Sequence, residues 1–388
     1  MSLRSYLLSA LLGLALVNHY AAAQEIDLTN RYIIKIKDGA DANKGTRLNP
    51  PGESSALTHF ISELKDKFTM QSFNAYSSVL SEPLAKALLE NGDVEYVEAE
   101  QIFKATGVQQ NPPSWGLWRV SQRDRNPSAP YNYPDSAGSG VDVYIIDTGI
   151  NVKHVDFGGR ATFPRSFISG EAVEDLNGHG THVAGTVGGT TYGVAKKVNL
   201  IGVKVLNKNA SGSTSAIVAG INWVAQQAKA TGRKSVANMS LGGGNSDALK
   251  SAVNAAVKSG VSFFVAAMND NQDACNVSPA NADGAFTVAA TTISDTAASF
   301  TNYGRCVNIA GPGLDITSAW IGGNNAYRRI SGTSMATPHV AGVAALYLAQ
   351  ENLTSPQSVY DTLAARATKN AITGLKGNTP NLLVHNSK

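Results

Sequence analysis

The chain has 388 residues, more than one ordinary domain uses, so two folded units and a large buried core are expected. Charged residues make up only 16% and there are 37 glycines, a composition that excludes a disordered chain and suits close helix-on-sheet packing. A formal net charge of +3 is too weak to select nucleic acid or an anionic membrane surface as partner.

Residues 1–23 carry Arg4, an apolar run from Tyr6 to Val17 and the small-residue stretch Ala21-Ala22-Ala23 before Gln24, the layout of a cleaved signal peptide. That run is too short to span a bilayer comfortably, and no other uninterrupted apolar stretch of about 18 residues exists, so a secreted, soluble mature chain is expected. In an oxidising compartment the only two cysteines, Cys275 and Cys306, should pair. Chain entropy makes such a link worth roughly 3–4 kcal/mol.

Residues 24–105 read as a compact α+β unit. Residues 31–36 alternate like a strand, 54–68 have helical spacing through Ala56, Phe60, Ile61 and Leu64, and 73–80 form a second strand. A helix over 82–90 places Leu84, Ala87 and Leu88 on one face, and 93–103 return to strand pattern, which together predict a ferredoxin-like sandwich. Residues 104–113, KATGVQQNPP, hold turn formers with little periodicity and predict a linker containing a cleavage site. Beyond Trp115 the near-continuous apolar runs 141–146, 199–205, 236–241, 261–267 and 285–290 alternate with Ala/Gly-rich helices. The fold class is therefore α/β, with a central parallel sheet flanked by helices on both faces.

Three segments carry chemistry. The strand VDVYIID ends in Asp147-Thr148-Gly149, a carboxylate at the carboxyl end of a parallel strand, where open α/β sheets build their sites. Aspartic proteases also use DTG, but they need two carboxylates sharing a proton, and no second DTG or DSG exists here. In NGHGTHVAGT, glycines flank His179 at the start of a small-residue helix; a zinc reading would use His179 and His182, yet HExxH is absent and no third ligand is evident. In SGTSMATPHVAG a glycine turn opens an Ala-rich helix at Ser334, whose hydroxyl faces oriented N–H groups and the positive end of the helix dipole, although a lone serine there also suits an N-cap.

In the order Asp, His, Ser, these motifs resemble the subtilase family, most closely its proteinase K-like branch of secreted fungal enzymes. Chymotrypsin-like chains run His, Asp, Ser and α/β-hydrolases Ser, Asp, His. The resemblance spans the whole chain and includes YGVAKK at 192–197 and SLGG at 240–243. It implies a signal peptide at 1–23, an inhibitory propeptide at 24–105 that assists folding, and a subtilisin-like peptidase domain at 106–388. It further implies a serine endopeptidase with Asp147, His179 and Ser334 as triad and Asn269 as oxyanion donor. Substrate would add as a strand beside Ser211-Gly212-Ser213 and Ser240-Leu241-Gly242, with the specificity pocket between residues 240–243, including Gly243, and residues 266–269, including Ala266, Ala267 and Met268. An apolar pocket without a fixed charge predicts cleavage after apolar or aromatic residues.

Departures from the family pattern sit at four positions. Met268 replaces a glycine before Asn269, so it would narrow the pocket, and strain the loop if the site needs φ > 0. Val183 replaces a free cysteine. Asn308 and Arg123 occupy places where proteinase K has a ligand Asp and a Thr, so no cofactor is required and calcium is left unsupported. Sequons at Asn209, Asn276 and Asn352 are glycosylation candidates, while Asn238 matches inside a predicted buried strand. Expected partners are protein and peptide substrates and the chain's own propeptide, with no nucleic acid, no membrane and a monomeric state. The alternative reading is a secreted subtilase-fold protein with weak catalysis that acts by binding.

Overall fold

The computed structural model describes residues 30–37, 66–70, 73–90, 92–99 and 106–386, so the signal-peptide reading of 1–23 lies outside the described residues. Two compact units divide the chain between Phe103 and Lys104.

In the first unit, strands β1 (Arg31–Ile36), β2 (Asp66–Met70), β3 (Phe73–Val79) and β4 (Val94–Ala99) form an antiparallel sheet in the order β2-β3-β1-β4. Helix α1 (Glu82–Leu89) packs Ala85 and Leu88 against Ile34, Ile36 and Val94. Residues 66–68, expected at the end of a helix, instead run in β2, with Asp66 opposite Ser77 and Phe68 opposite Ala75. Cross-strand pairing overrides the local 3.6-residue spacing there; the rest of that expected helix, 54–65, lies outside the described residues.

The second unit opens with β5 (Thr106–Gln109), antiparallel to β6 (Tyr131–Pro134), with α2 (Trp115–Val120) between them. The linker expected over 104–113 is thus corrected at 106–109. Backbone pairing, helped by the Gln109 amide donating to the Thr191 carbonyl at 3.0 Å, needs no side-chain periodicity and leaves none to read.

The elements that follow are β7 (Asp142–Asp147), β8 (Ala161–Ser166), α3 (His179–Gly188), β9 (Asn199–Lys204), α4 (Thr214–Thr231), β10 (Ser235–Met239), β11 (Gly243–Gly244) and α5 (Asp247–Lys258). Then come β12 (Ser262–Ala266), β13 (Val277–Ser278), β14 (Phe286–Thr291), β15 (Ile309–Pro312), β16 (Ile316–Ala319), β17 (Tyr327–Ile330), α6 (Thr333–Gln350), α7 (Pro356–Arg366), β18 (Thr368–Lys369) and β19 (Leu382–Leu383). Nine strands make one sheet in the order β18-β19-β15-β14-β12-β10-β7-β9-β8, parallel throughout except at β18–β19.

The apolar runs work by parity. Along β7, Val143 and Ile145 enter one core while Tyr144 and Ile146 enter the other. Phe264 and Phe263 of β12 divide in the same way. Period-two alternation with both faces buried explains why these strands read as unbroken apolar stretches. Helices α3, α6 and α7 cover the first face, and α4 and α5 the second. From β7 the chain builds outward to β8 and β9 on one side, then crosses to β10, β12 and β14 on the other. The switch point of the sheet is therefore β7, and its carboxyl end opens a crevice.

Cys275 and Cys306 form a disulfide across 31 residues of chain. Among the described residues no helix is long and apolar enough to cross a membrane.

Candidate active site

Asp147 is the last residue of β7 and has no exposed surface. Its carboxylate accepts the Thr148 N–H at 2.7 Å and lies 2.8 and 3.0 Å from His179 Nδ1, so the Nδ1–H tautomer is the one that fits, with Nε2 left free. His179 starts α3 directly after Gly178, which has φ 102°, and a Cβ at Gly178 would come within 2.6 Å of the Trp320 ring. Only glycine satisfies both demands. Asp175 locks this corner: one oxygen accepts from Thr148 Oγ1 at 2.9 Å and Gly178 N at 2.9 Å, the other from Thr181 N at 2.9 Å and Thr181 Oγ1 at 2.6 Å. Burial alone would disfavour a charged His179; the Asp147 carboxylate beside it, with a smaller share from Asp175, outweighs that and raises its pKa above the ordinary histidine value.

Ser334 is the second residue of α6, an almost wholly buried helix whose dipole points at this corner. Pro338 sits inside the helix and lacks the N–H that would bond the Ser334 carbonyl four residues back. Ser240 Oγ fills that role, donating to Ser334 O at 2.8 Å, while Ser334 Oγ donates to Ser240 O at 3.2 Å. The nucleophile candidate is thereby fastened to the SLGG segment, and rotation of its hydroxyl away from Ser240 frees it for a base.

Asn269 Oδ1 accepts from Thr333 N at 2.8 Å and Thr333 Oγ1 at 3.0 Å, which fixes the amide and leaves Nδ2 outside these bonds. A Cβ placed on Gly332 would lie 3.6 Å from both Asn269 Nδ2 and Ser334 N, so these two nitrogens border the same space. Met268 just before it has φ 76°, the left-handed region that costs a non-glycine residue of order 1–3 kcal/mol. The strain is held by Met268 N donating to Thr333 Oγ1 at 3.1 Å and Met268 O accepting from Asn302 N at 3.0 Å. Met268 Sδ crosses so close to Gly242 that a Cβ there would be 2.7 Å from it.

A cleft of about 380 Å³ brings together His179, Ser334, Ser211, Gly212, Ser240, Leu241, Gly242 and Met268, with Leu206, Ala210 and Ile217 completing its wall. It has no Asp, Glu, Lys or Arg lining it. Four expected substrate-binding residues do not line it: Ser213 caps α4 by accepting from Ala216 N at 3.2 Å, Gly243 pairs with Ser278, and Ala266 and Ala267 are fully buried. A larger cavity of about 530 Å³ near Trp115, Trp118 and Leu314 is lined by no histidine or cysteine, so its Ser114 and Ser128 have no imidazole beside them to act as base.

His182 Nε2 is spent on the carbonyls of Ile316 and Arg328 at 3.0 and 3.1 Å, and burial pushes its pKa down to about 3; it ties α3 to the β16–β17 hairpin as a neutral ring. His339 is likewise neutral, pushed by burial to about 4 with Nδ1 2.8 Å from Met335 O. Among the described residues no group of three or more His, Cys, Asp or Glu is placed to hold a metal ion. Asn308 Oδ1 accepts Thr287 N at 2.7 Å, and Arg123 Nη1 donates to the carbonyls of Arg366 and Ala367 at 2.9 and 3.1 Å. The sequence pattern pointed to the Asp, His and Ser positions, and the family resemblance alone to Asn269; no motif singled out Asp175, although Gly178 and Thr181 are close to it in sequence, and Thr333 and the Ser240–Pro338 arrangement depend on partners far away along the chain.

Proton NMR of a Ser334→Ala protein with assigned histidines checks the electrostatics. His179 should titrate above the ordinary histidine range, while His182 and His339 stay neutral down to about 3 and 4. A His179 that titrates below the ordinary range contradicts the contact with Asp147.

A model described as the subtilase family matches residues 138–381. The chain is 44% identical to a cuticle-degrading protease of Metarhizium anisopliae across 92% of this chain and 90% of that one. It is 48% identical to alkaline serine exoprotease A of Vibrio alginolyticus across 80% of this chain, and spans 58% of that relative's length. A solved structure described as a cold adapted subtilisin-like serine proteinase is 50% identical, with TM-score 0.66, covering 71% of this chain and 98% of that one. The parallel sheet switched at β7, the corner it builds and these likenesses agree: the chain belongs to the subtilase family of serine endopeptidases.

Proposed function

We propose that the chain is a secreted endopeptidase made as a zymogen, which cuts proteins after apolar or aromatic residues through Asp147, His179 and Ser334. The observation that carries this reading is one cleft holding Ser334 and His179, with Asn269 Nδ2 and Ser334 N bordering a common space. An extended substrate adds as a strand along 211–213 and 240–242. Ser334 Oγ turns from Ser240 to His179 Nε2, which takes its proton as Oγ attacks the peptide carbonyl. Asp147 holds the tautomer and stabilises the imidazolium. The oxyanion accepts hydrogen bonds from Asn269 Nδ2 and Ser334 N–H. His179 then gives its proton to the leaving amine as the C–N bond breaks, and a water activated by the same ring hydrolyses the acyl-enzyme.

The uncharged cleft wall supports the apolar preference, because nothing there rewards Lys or Arg. The separate small unit ending at Phe103, with its own core, supports an inhibitory propeptide that assists folding. The mature chain acts as a monomer and needs no cofactor for this chemistry.

Treating the matured protein with a phosphonate or sulfonyl fluoride should give one adduct, on the peptide carrying Ser334, and none in Ser334→Ala. Properly matured protein that takes no label contradicts the enzyme reading and favours a binding role. Met268→Gly, which relieves the positive φ and opens the pocket, should raise kcat/KM for an aromatic over a small P1 residue by roughly 10-fold, the discrimination a methylene or two of space supports. Identical profiles and rates for the two proteins would show that Met268 does not set specificity.

A further inference from the structure

One sequon lies on the lip of the cleft. Ala210, Ser211 and Gly212 line the cleft wall, and the sequon Asn209-Ala210-Ser211 runs directly into it. Asn209 is exposed. Its loop is closed on itself: Asn207 N donates to Ser211 O at 2.9 Å, and Asn207 Oδ1 accepts the N–H groups of Asn209 and Ser211 at 2.9 and 3.1 Å.

The same loop is pinned to the catalytic corner. Asn177 Nδ2 donates to the Lys208 carbonyl at 2.9 Å, and Asn177 Oδ1 accepts the His179 N–H at 3.2 Å, so one amide side chain links the residue before Asn209 to the start of α3. Glu171 Oε1 accepts Lys208 N at 3.1 Å from a third direction. A group attached at Asn209 is therefore carried on a stiff turn between His179 and the substrate-binding strand, not on a loop free to swing aside.

The other sequons differ. Asn276 is exposed, but Val277 and Ser278 beside it are buried, and Ser278 Oγ bonds Asn281 Oδ1 at 2.8 Å. Asn238 is fully buried and bonds Ser240 Oγ at 2.9 Å. Asn352 is exposed between α6 and α7 and belongs to no wall of the cleft.

We infer that Asn209 is N-glycosylated and that its glycan acts as a size filter at the cleft mouth, admitting short or unfolded peptides while hindering folded protein surfaces. A bulky hydrated chain on the rim narrows the approach angles of a large partner, an orientational restriction that lowers its association rate, and leaves a thin extended strand unaffected. This inference rests on the secretory, peptide-cutting reading given above.

The test uses the full chain secreted from a glycosylating yeast, as wild type, Asn209→Gln and Asn352→Gln. Peptide mass spectrometry with and without an amidase that removes N-glycans reports occupancy, and kcat/KM is measured on a tetrapeptide anilide and on a folded protein substrate. The expected result is a glycan at Asn209, with a several-fold gain of the folded-substrate to anilide ratio in Asn209→Gln and in the deglycosylated wild type, and no gain in Asn352→Gln. An unmodified Asn209, or an occupied Asn209 whose removal leaves the ratio unchanged, overturns the inference. Glycan at Asn352 alone, on a protein active toward the anilide, places the fault with this inference and not with the secretory or catalytic reading; wild type inactive toward the anilide defeats both.

Discussion

The structure turns on a carboxylate held out of water. Asp147 ends β7 with no exposed surface, and such a group is costly to bury unless hydrogen bonds replace its lost solvation. The Thr148 N–H and the His179 ring supply them. Their geometry requires that the strand end and the start of α3 meet at one point, which the switch in strand order at β7 provides. Asp175 holds the two together by accepting from Thr148, Gly178 and Thr181 at once. The imidazole that results is biased toward its charged form, which suits the proposed role of a base that receives a proton midway through a reaction.

The Ser334 side depends on the start of α6. Pro338 takes away one helical hydrogen bond, and the carbonyl it releases is claimed by Ser240 from a loop 94 residues earlier. Thr333, one residue before Ser334, orients the Asn269 amide and also braces the backbone of Met268 in its left-handed conformation. A single helix end thus positions the hydroxyl, one backbone donor, the side-chain donor and the strained pocket residue. A backbone conformation better suited to glycine survives at Met268 because its surroundings bond it on both sides, a local conflict of the sort that functional sites tolerate.

Much of this was legible in the sequence because it is written in short range. Parallel strands buried on both faces leave continuous apolar runs, and the residues flanking Asp147, His179 and Ser334 follow fixed local patterns. What could not be read depends on distant partners. The pairing of 106–109 with β6 and of 66–68 with β3 is carried by backbone bonds, which leave no mark on side-chain periodicity. The short strands β15, β18 and β19 escaped because two to four residues carry too little periodicity, and the six-residue β8 because it is largely exposed and polar and is interrupted by Pro164, so it leaves no apolar run. Thr333 and Asn269 are 64 residues apart, and nothing near either one announces the contact. Met268 was visible as a departure from a pattern; its positive φ and its approach to Gly242 are facts of the folded loop.

The central claim is that the buried Asp147 carboxylate governs His179. The direct measurement is the pH dependence of kcat/KM for Asp147→Asn beside the wild type, on one apolar peptide substrate. Because His179 in its proposed role as base works when neutral, and the carboxylate raises its pKa, the wild-type rate should climb with pH through a midpoint above the ordinary histidine value. Asn at 147 should cut the rate by about 10⁴ near neutral pH and move that midpoint lower. A variant that keeps both the wild-type rate and the wild-type midpoint would contradict the account.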